Sequence, residues 1–251
     1  MYICLTLENI SGENMNLPYD YERYIQGFLY SLNDPEFGAF LHNVGYVYNS
    51  RNFKLFTFSQ FLERPIFVDR ENKRYVFPSR VTLLVSSVNN PFLENLVNAL
   101  VNSNYTYRLG AYHIAVTSVS ALDARITPRI EVRTTSPVCI YSTVVLSDGR
   151  KRTIYYTPDD QDFYELLRQN AIKKYQAYYG RYPENDQLTV RVCGRWREIN
   201  KKYKGFIVKG ISGRFLLEGS PELIVMVQEA GLGGKNAEGN GLVIASDVFR
   251  K

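Results

Sequence analysis

Three features of the sequence predict an α+β fold. Short aromatic or β-branched runs separated by polar breaks read as strands, and longer segments repeat their apolar residues with helical period. The resulting order, β-α-β-β-α-β, occurs twice. That order is the split βαβ pattern, so two tandem ferredoxin-like domains are expected, residues 1–124 and 125–251, each an antiparallel sheet with its helices on one face. The duplication is one of element order; no literal sequence repeat accompanies it.

In the first half, YICLTLE alternates as a strand. In YDYERYIQGFLYSL the period changes, and Tyr21, Tyr24, Ile25, Phe28, Leu29 and Leu32 fall on one stripe of an amphipathic helix. A second short helix follows, with Asp34 as N-cap, Pro35 in its first turn, and Phe37, Phe40 and Leu41 inward. FKLFTFSQF, PIFVD, RYVFP and RVTLLVSSV are strand runs. NNPFLENLVNALVNS is a helix capped by Asn90 and opened by Pro91, burying Phe92, Leu93, Leu96, Val97 and Leu100. YHIAVTSV closes this half as a strand, with His113 in a buried pattern.

A polar break from Asp123 to Pro128 precedes the second cycle. RIEVRTTSPVCIY reads as a strand, DDQDFYELLRQNAIKKYQAYYG as a long helix, and LTVRVCGRW with KGFIVKGISGRFLLEG as a strand pair. SPELIVMVQEAG is a helix capped by Ser220, started by Pro221 and stopped by Gly231 in a left-handed C-cap, and NGLVIAS is the last strand. This α/β sandwich is shared with RNA-recognition modules but hosts many activities, so function has to be argued from particular residues.

With 251 residues, 45% hydrophobic and 22% charged, the chain reads as soluble and globular, without an apolar run long enough for a bilayer or a basic, apolar leader at its start. Cys4, Cys139 and Cys193 are odd in number and far apart, which predicts buried free thiols rather than disulfides or a zinc site. With only two histidines, metal ligation is not expected. The formal charge of +5 is concentrated. From Arg191 to Arg214, eight cations (Arg191, Arg195, Arg197, Lys201, Lys202, Lys204, Lys209 and Arg214) face the single acid Glu198, a net of +7 that leaves the remainder at −2. Such a patch is the footprint of a phosphate-backbone binder.

EAGLGGKNAEGNGLV sets five glycines around Lys235. Capping accounts for Gly231; Gly233, Gly234, Gly239 and Gly241 lie beyond that need. A Walker loop would have glycine where Glu229 stands and Ser or Thr where Asn236 stands. A dinucleotide fingerprint would follow a strand and open a helix, whereas this stretch follows a helix and enters a strand. What remains is a flexible nest of exposed N–H groups beside Lys235 and Asn236, suited to a polyanion.

GLGGKNAEGNGLV resembles the C-terminal glycine-rich signature of the CRISPR repeat-RNA endoribonucleases, the Cas six family. YIQGFLY, FLHNVG, KLFTFS and SPVCIY resemble family segments in the expected order, so the likeness covers most of the chain. The resemblance implies the double ferredoxin-like fold derived above, no cofactor, CRISPR repeat RNA as partner, and a cytoplasmic setting in a bacterium or archaeon. It also implies metal-independent cleavage by the upstream 2′-hydroxyl, leaving a 2′,3′-cyclic phosphate and a 5′-hydroxyl. A repeat-RNA-binding protein without catalysis, or a structural subunit of an RNA-guided interference complex, is the alternative; other subunits of such a complex and a second copy of the chain stand as further partners.

The reaction requires a base, an acid and a cation at the phosphorane, and Tyr30, His42 and Lys54 match the family triad. The helical wheels agree for two of them. Tyr30 lies roughly 170° and His42 roughly 150° from the apolar stripe of its helix, so both are expected to face away from the core. Which of the two is base and which acid is open, with His42 favoured as the acid. Gly231, Gly233, Gly234, Lys235, Asn236, Gly239 and Gly241 are assigned to the RNA backbone, and Arg191, Arg195, Arg197 and Lys209 to phosphates near the cleavage point or a stem.

Overall fold

The computed structural model describes residues 1–101 and 106–248. The first half runs β1 (Tyr2–Asn9), β2 (Met15–Pro18), α1 (Glu22–Ser31), α2 (Pro35–Asn43), β3 (Tyr46–Tyr48), β4 (Arg51–Phe53), β5 (Phe56–Phe58), β6 (Phe67–Asp69), β7 (Arg74–Phe77), β8 (Arg80–Ser87), α3 (Asn90–Val101), β9 (Tyr107–Leu109) and β10 (Tyr112–Leu122). The second runs β11 (Arg129–Thr134), β12 (Tyr141–Val145), β13 (Lys151–Tyr155), α4 (Phe163–Tyr179), β14 (Leu188–Tyr203), β15 (Phe206–Gly219), α5 (Pro221–Ala230), a 3-10 turn at Asn236–Glu238, and β16 (Val243–Ala245). The expected end of α3, at 102–103, lies outside the described residues.

Both main sheets are antiparallel and share one topology. The first is ordered β5-β8-β1-β10-β9 and the second β14-β15-β11-β16. In each, the opening strand lies between the third and fourth strands of its β-α-β-β-α-β cycle, which is the ferredoxin-like order. Period-two alternation explains the burial of β1. Ile3, Leu5 and Leu7 pack with Ile25, Phe28, Phe92 and Leu96 of the helices in one core. The alternate residue Tyr2 faces the other way, into a cluster with Leu84, Leu242 and Ile244, and its hydroxyl donates to the Val243 carbonyl at 2.9 Å. The second core joins Val132, Phe215 and Leu217 to Leu167, Leu223 and Val227, and takes in Leu55 and Val88 from the first half. Apolar contact therefore runs between the halves. Among the described residues no helix is long and apolar enough to cross a membrane.

Several local expectations are corrected. α1 begins at Glu22, three residues into YDYERYIQGFLYSL, with Tyr21 at its N-cap. In α2 only Leu41 is fully buried. Phe37 and Phe40 are half-buried, their rings 6.1 Å apart, with Phe40 edge-on to Tyr46. His113 is exposed, because Ile114 takes the inward position of β10 and alternation turns His113 outward, opposite Arg108. Of the free cysteines only Cys139 is buried; Cys4 and Cys193 are half-buried. The β12–β13 hairpin and the short strands β2, β3 and β9 went unread, being too short or too polar for a periodic signal.

Candidate active site

The apolar stripe of α1 places Ile25, Phe28 and Leu29 in the core and leaves a second stripe, Glu22, Gln26 and Tyr30, spaced i, i+4 and i+8 along one side. Tyr30 is nearer the core than its wheel position suggests. It is half-buried, with its ring edge-on to Phe56 at 5.6 Å, and burial pushes the phenol up to about 12.

Asp34 caps α2 by accepting from the Phe37 N–H at 2.8 Å. The helix carries His42 in its last turn, where a basic side chain complements the helix dipole. His42 is exposed, and its ring stands 5.7 Å from the Tyr30 ring at 73°. Nδ1 lies 2.9 Å from Asn43 Oδ1, an acceptor, so Nδ1 carries the proton and Nε2 is free.

Lys54 sits in the break between β4 and β5, just before Leu55 at φ 57°. Its Nζ donates to the His42 carbonyl at 2.8 Å and so ties off the C-terminus of α2; partial burial lowers its pKa. Gly45 permits this approach. With φ at 68°, a Cβ there would stand 2.5 Å from the Phe53 carbonyl oxygen and 3.0 Å from Lys54 Cδ. Tyr30, His42 and Lys54, separated in sequence, thus line one cleft of about 670 Å³.

The opposite wall comes from the second half: Tyr141 and Tyr155 of the β12–β13 hairpin, Tyr203 and Lys204 at the β14–β15 tip, and Lys235 of the glycine loop. Lys235 lies 3.3 Å from Glu238 and 5.4 Å from the Tyr141 ring centroid. Burial works against its ammonium, but Glu238 and the phenols of Tyr141 and Tyr155 outweigh that and raise its pKa. Three lysines therefore share this cleft with one ion-paired carboxylate, an excess of positive charge suited to a phosphodiester.

The glycine loop is largely buried, contrary to the expectation of exposed N–H groups. Gly231, Gly233, Asn236, Gly239 and Gly241 are buried, and their missing side chains make room for protein. A Cβ on Gly233 would stand 2.4 Å from the Cys139 carbonyl oxygen, and one on Gly239 would stand 2.7 Å from Phe58 Cε2. Gly231 has φ 85° and ψ 152°, an extended conformation open to glycine rather than the left-handed cap expected. Lys174 Nζ, wholly buried, donates to the carbonyls of Ala230, Gly231 and Gly233 at 3.3, 2.6 and 2.8 Å. Gln26 Nε2 and Thr57 Oγ1 hold the carbonyls of Ala237 and Asn240 at 2.6 and 2.9 Å. Of the loop, Lys235, Ala237 and Glu238 keep partial exposure and line this cleft; Gly234 is also partly exposed but lies outside it.

The basic segment forms the long β14–β15 hairpin, and its charges divide. Lys201 is buried, 2.9 Å from Glu22 and 2.7 Å from the Gly239 carbonyl, so it belongs to the interior and not to the surface patch. Lys209 pairs with Glu198 at 3.4 Å and Arg214 with Glu131 at 3.1 Å. Arg191, Arg195 and Arg197 are exposed. Even the nearest, Arg197, is six residues down the strand from Tyr203, about 20 Å at ~3.3 Å per residue, so these arginines do not join the cleft. Sequence reasoning missed Gln26, Tyr141, Tyr155 and Tyr203, and included Lys204 in the basic stretch without singling it out. The polar stripe of α1 and the Lys204-Gly205 pair inside the basic run were the available signals.

Residues 16–120 match the family model described as CRISPR-associated protein Cas6, N-terminal, and residues 122–244 match that described as CRISPR associated protein Cas6, C-terminal. The chain belongs to the Cas6 family. It is 29% identical over 234 residues to CRISPR-associated endoribonuclease Cas6 1 of Methanocaldococcus jannaschii, covering 91% of this chain and 87% of that protein. It is 26% identical over 247 residues to CRISPR-associated endoribonuclease Cas6 of Pyrococcus furiosus, covering 90% and 83%. A solved structure described as CRISPR associated protein Cas6 superposes with a TM-score of 0.77 at 26% identity over 98% of this chain and 99% of that one. A Cas6-related protein from Pyrococcus furiosus superposes with a TM-score of 0.82 at 22% identity, over 98% of both chains, and speaks for the Cas6 fold alone.

Proposed function

We propose that this chain is an endoribonuclease that cuts CRISPR repeat RNA in precursor transcripts, in the cytoplasm of a bacterium or archaeon, without a metal ion. The relatives named above as endoribonucleases support the class. The observation that carries the reading is the gathering of Tyr30, His42 and Lys54 at one cleft between the two halves, with the Tyr30 and His42 rings 5.7 Å apart and Lys54 held on the His42 carbonyl.

Protonation divides the roles. A phenol pushed up to about 12 stays protonated at neutral pH and donates, whereas the free Nε2 of a neutral imidazole accepts. His42 therefore takes the proton of the 2′-hydroxyl as its oxygen attacks the adjacent phosphorus. Tyr30 gives its proton to the departing 5′-oxygen as the P–O bond breaks, and Lys54 opposes the charge of the phosphorane. Transfer from imidazolium to phenolate then resets the pair. The products carry a 2′,3′-cyclic phosphate and a 5′-hydroxyl. This division is the reverse of the sequence-based preference, which left the roles open and favoured His42 as the acid. Metal independence draws support from the donor set. Among the described residues lining the cleft the carboxylate is Glu238, and it is ion-paired to Lys235.

The test is single-turnover cleavage of the repeat transcript from the protein's own locus, in EDTA, with the 3′ ends mapped. Wild type should cut and leave a cyclic phosphate, and His42→Ala should bind without cutting. A requirement for a divalent ion, or full cleavage by His42→Ala, overturns the reading.

A further inference from the structure

β14 and β15 are joined by a two-residue turn, Lys204-Gly205, with φ of 46° and 88°. Positive φ at both positions is the type I′ hairpin geometry, which favours asparagine or glycine at the first and glycine at the second. Gly205 conforms. Lys204 does not: a residue with a Cβ is uncommon in left-handed backbone, and its Nζ lies 5.5 Å from the Tyr203 ring centroid. Lys204 lines the cleft together with Tyr30 and His42.

The next residue is equally anomalous. Phe206 is 77% exposed, yet it too borders this cleft. The tip that carries both residues is anchored on two sides. The Tyr203 hydroxyl donates to Gln26 Oε1 of α1 at 2.5 Å, and the Tyr155 hydroxyl donates to the Ile207 carbonyl at 3.3 Å. A bare aromatic ring, held in place beside a lysine and next to three candidate catalytic groups, has the composition of a stacking platform for a nucleic-acid base.

We propose that the Lys204–Phe206 tip is a nucleotide clamp, in which Phe206 stacks on the unpaired base next to the scissile linkage and Lys204 holds that nucleotide's phosphate. This rests on the reading of the cleft as an RNA-cleaving site. The clamp sets which nucleotide lies in the cleft, so it acts through affinity and register, with proton transfer left to Tyr30 and His42.

The experiment uses the full chain and repeat RNA made uncleavable by a 2′-deoxy nucleotide upstream of the scissile phosphate, with 2-aminopurine placed in turn on either side of it. Wild type should quench one of the two positions. Phe206→Ala should lose that quenching and bind about 5- to 150-fold more weakly, the range for one stacked base. Phe206→Trp should restore both, whereas Phe206→Leu should not, and Phe67→Ala, an exposed ring on β6, should match wild type. On cleavable RNA, Phe206→Ala should raise KM with kcat nearly kept. Lys204→Gly, which suits the turn, should weaken binding and reduce the slope of log K against log salt by about 0.7. Quenching by Phe206→Ala equal to wild type, affinity within twofold, or quenching confined to a paired base overturns the clamp. Failure of wild type to cut would instead sink the cleavage reading, and the quenching still reports on the clamp by itself.

Discussion

Lys201→Met tests the most buried charge pair among the described residues. The Lys201 and Glu22 side chains are 6% and 2% exposed, with Nζ 2.9 Å from Glu22 Oε1 and 2.7 Å from the Gly239 carbonyl oxygen. Glu22 Oε2 is buried without a hydrogen-bond partner. These contacts join α1, β14 and the glycine loop. Methionine matches the aliphatic stem but strands the carboxylate, and breaking a buried pair from one side costs about 3–5 kcal/mol. For a chain of this size, that corresponds to a fall in Tm of about 6–20 °C. Removing both charges in Glu22→Leu/Lys201→Met should recover part of the loss, because an apolar pair escapes the desolvation penalty. The residue should be the unpaired Gly239 carbonyl, about 1–3 kcal/mol. Calorimetry and guanidinium titration of the two single variants and the double one supply the cycle. A loss under about 1 kcal/mol for Lys201→Met, or a double variant as damaged as the two singles summed, refutes the argument.

Two further outcomes concern the loop. Burial pushes Lys174 down to about 7, whereas an unfolded lysine titrates near ~10.4. Between these values the unfolded chain holds a proton that the folded chain lacks, so stability rises with pH by up to about 1.4 kcal/mol per unit. Guanidinium midpoints at pH 7 and 8.5 should show this gain for wild type and not for Lys174→Met, and parallel curves would contradict it. Lys235 has φ 56°, a conformation asparagine tolerates, so Lys235→Asn removes the charge with little backbone cost. RNA affinity should fall and the salt slope should drop by about 0.7 for a single strand; an unchanged slope in filter binding removes Lys235 from the phosphate contacts.

Local patterns made much of the scaffold legible. The stripe of Ile25, Phe28 and Leu29, the Asp34-Pro35 start and the paired β-α-β-β-α-β order carry their information in neighbouring residues, and the observed sheet orders agree with them. His42 was read as facing outward for the same reason, and it does. Phe37 and His113 were misjudged because whether an apolar face is covered, or which face of a strand turns inward, depends on what packs beside it.

Charge and glycine were the least legible signals. The count of eight cations treated Lys201 and Arg197 alike, yet one is interior and the other exposed. The glycines looked like exposed backbone awaiting a ligand, and most are filled by Cys139, Phe58, Asn236 and Leu232 of the protein itself. A sequence states that a Cβ is absent or that a charge is present. It does not state what occupies the space or answers the charge, because the partner can lie far along the chain, as Glu22 does from Lys201.

By itself, then, the amino-acid order determined the kinds of element, their succession and the family signature, since each depends on spacing along the chain. Tertiary structure alone decided that Tyr30, His42 and Lys54 share a cleft with Lys204 and Lys235, and that the loop between α5 and β16 is packed against the protein itself. The physical reason is that convergence and burial arise from packing between segments remote in sequence, where sequence periodicity has no reach.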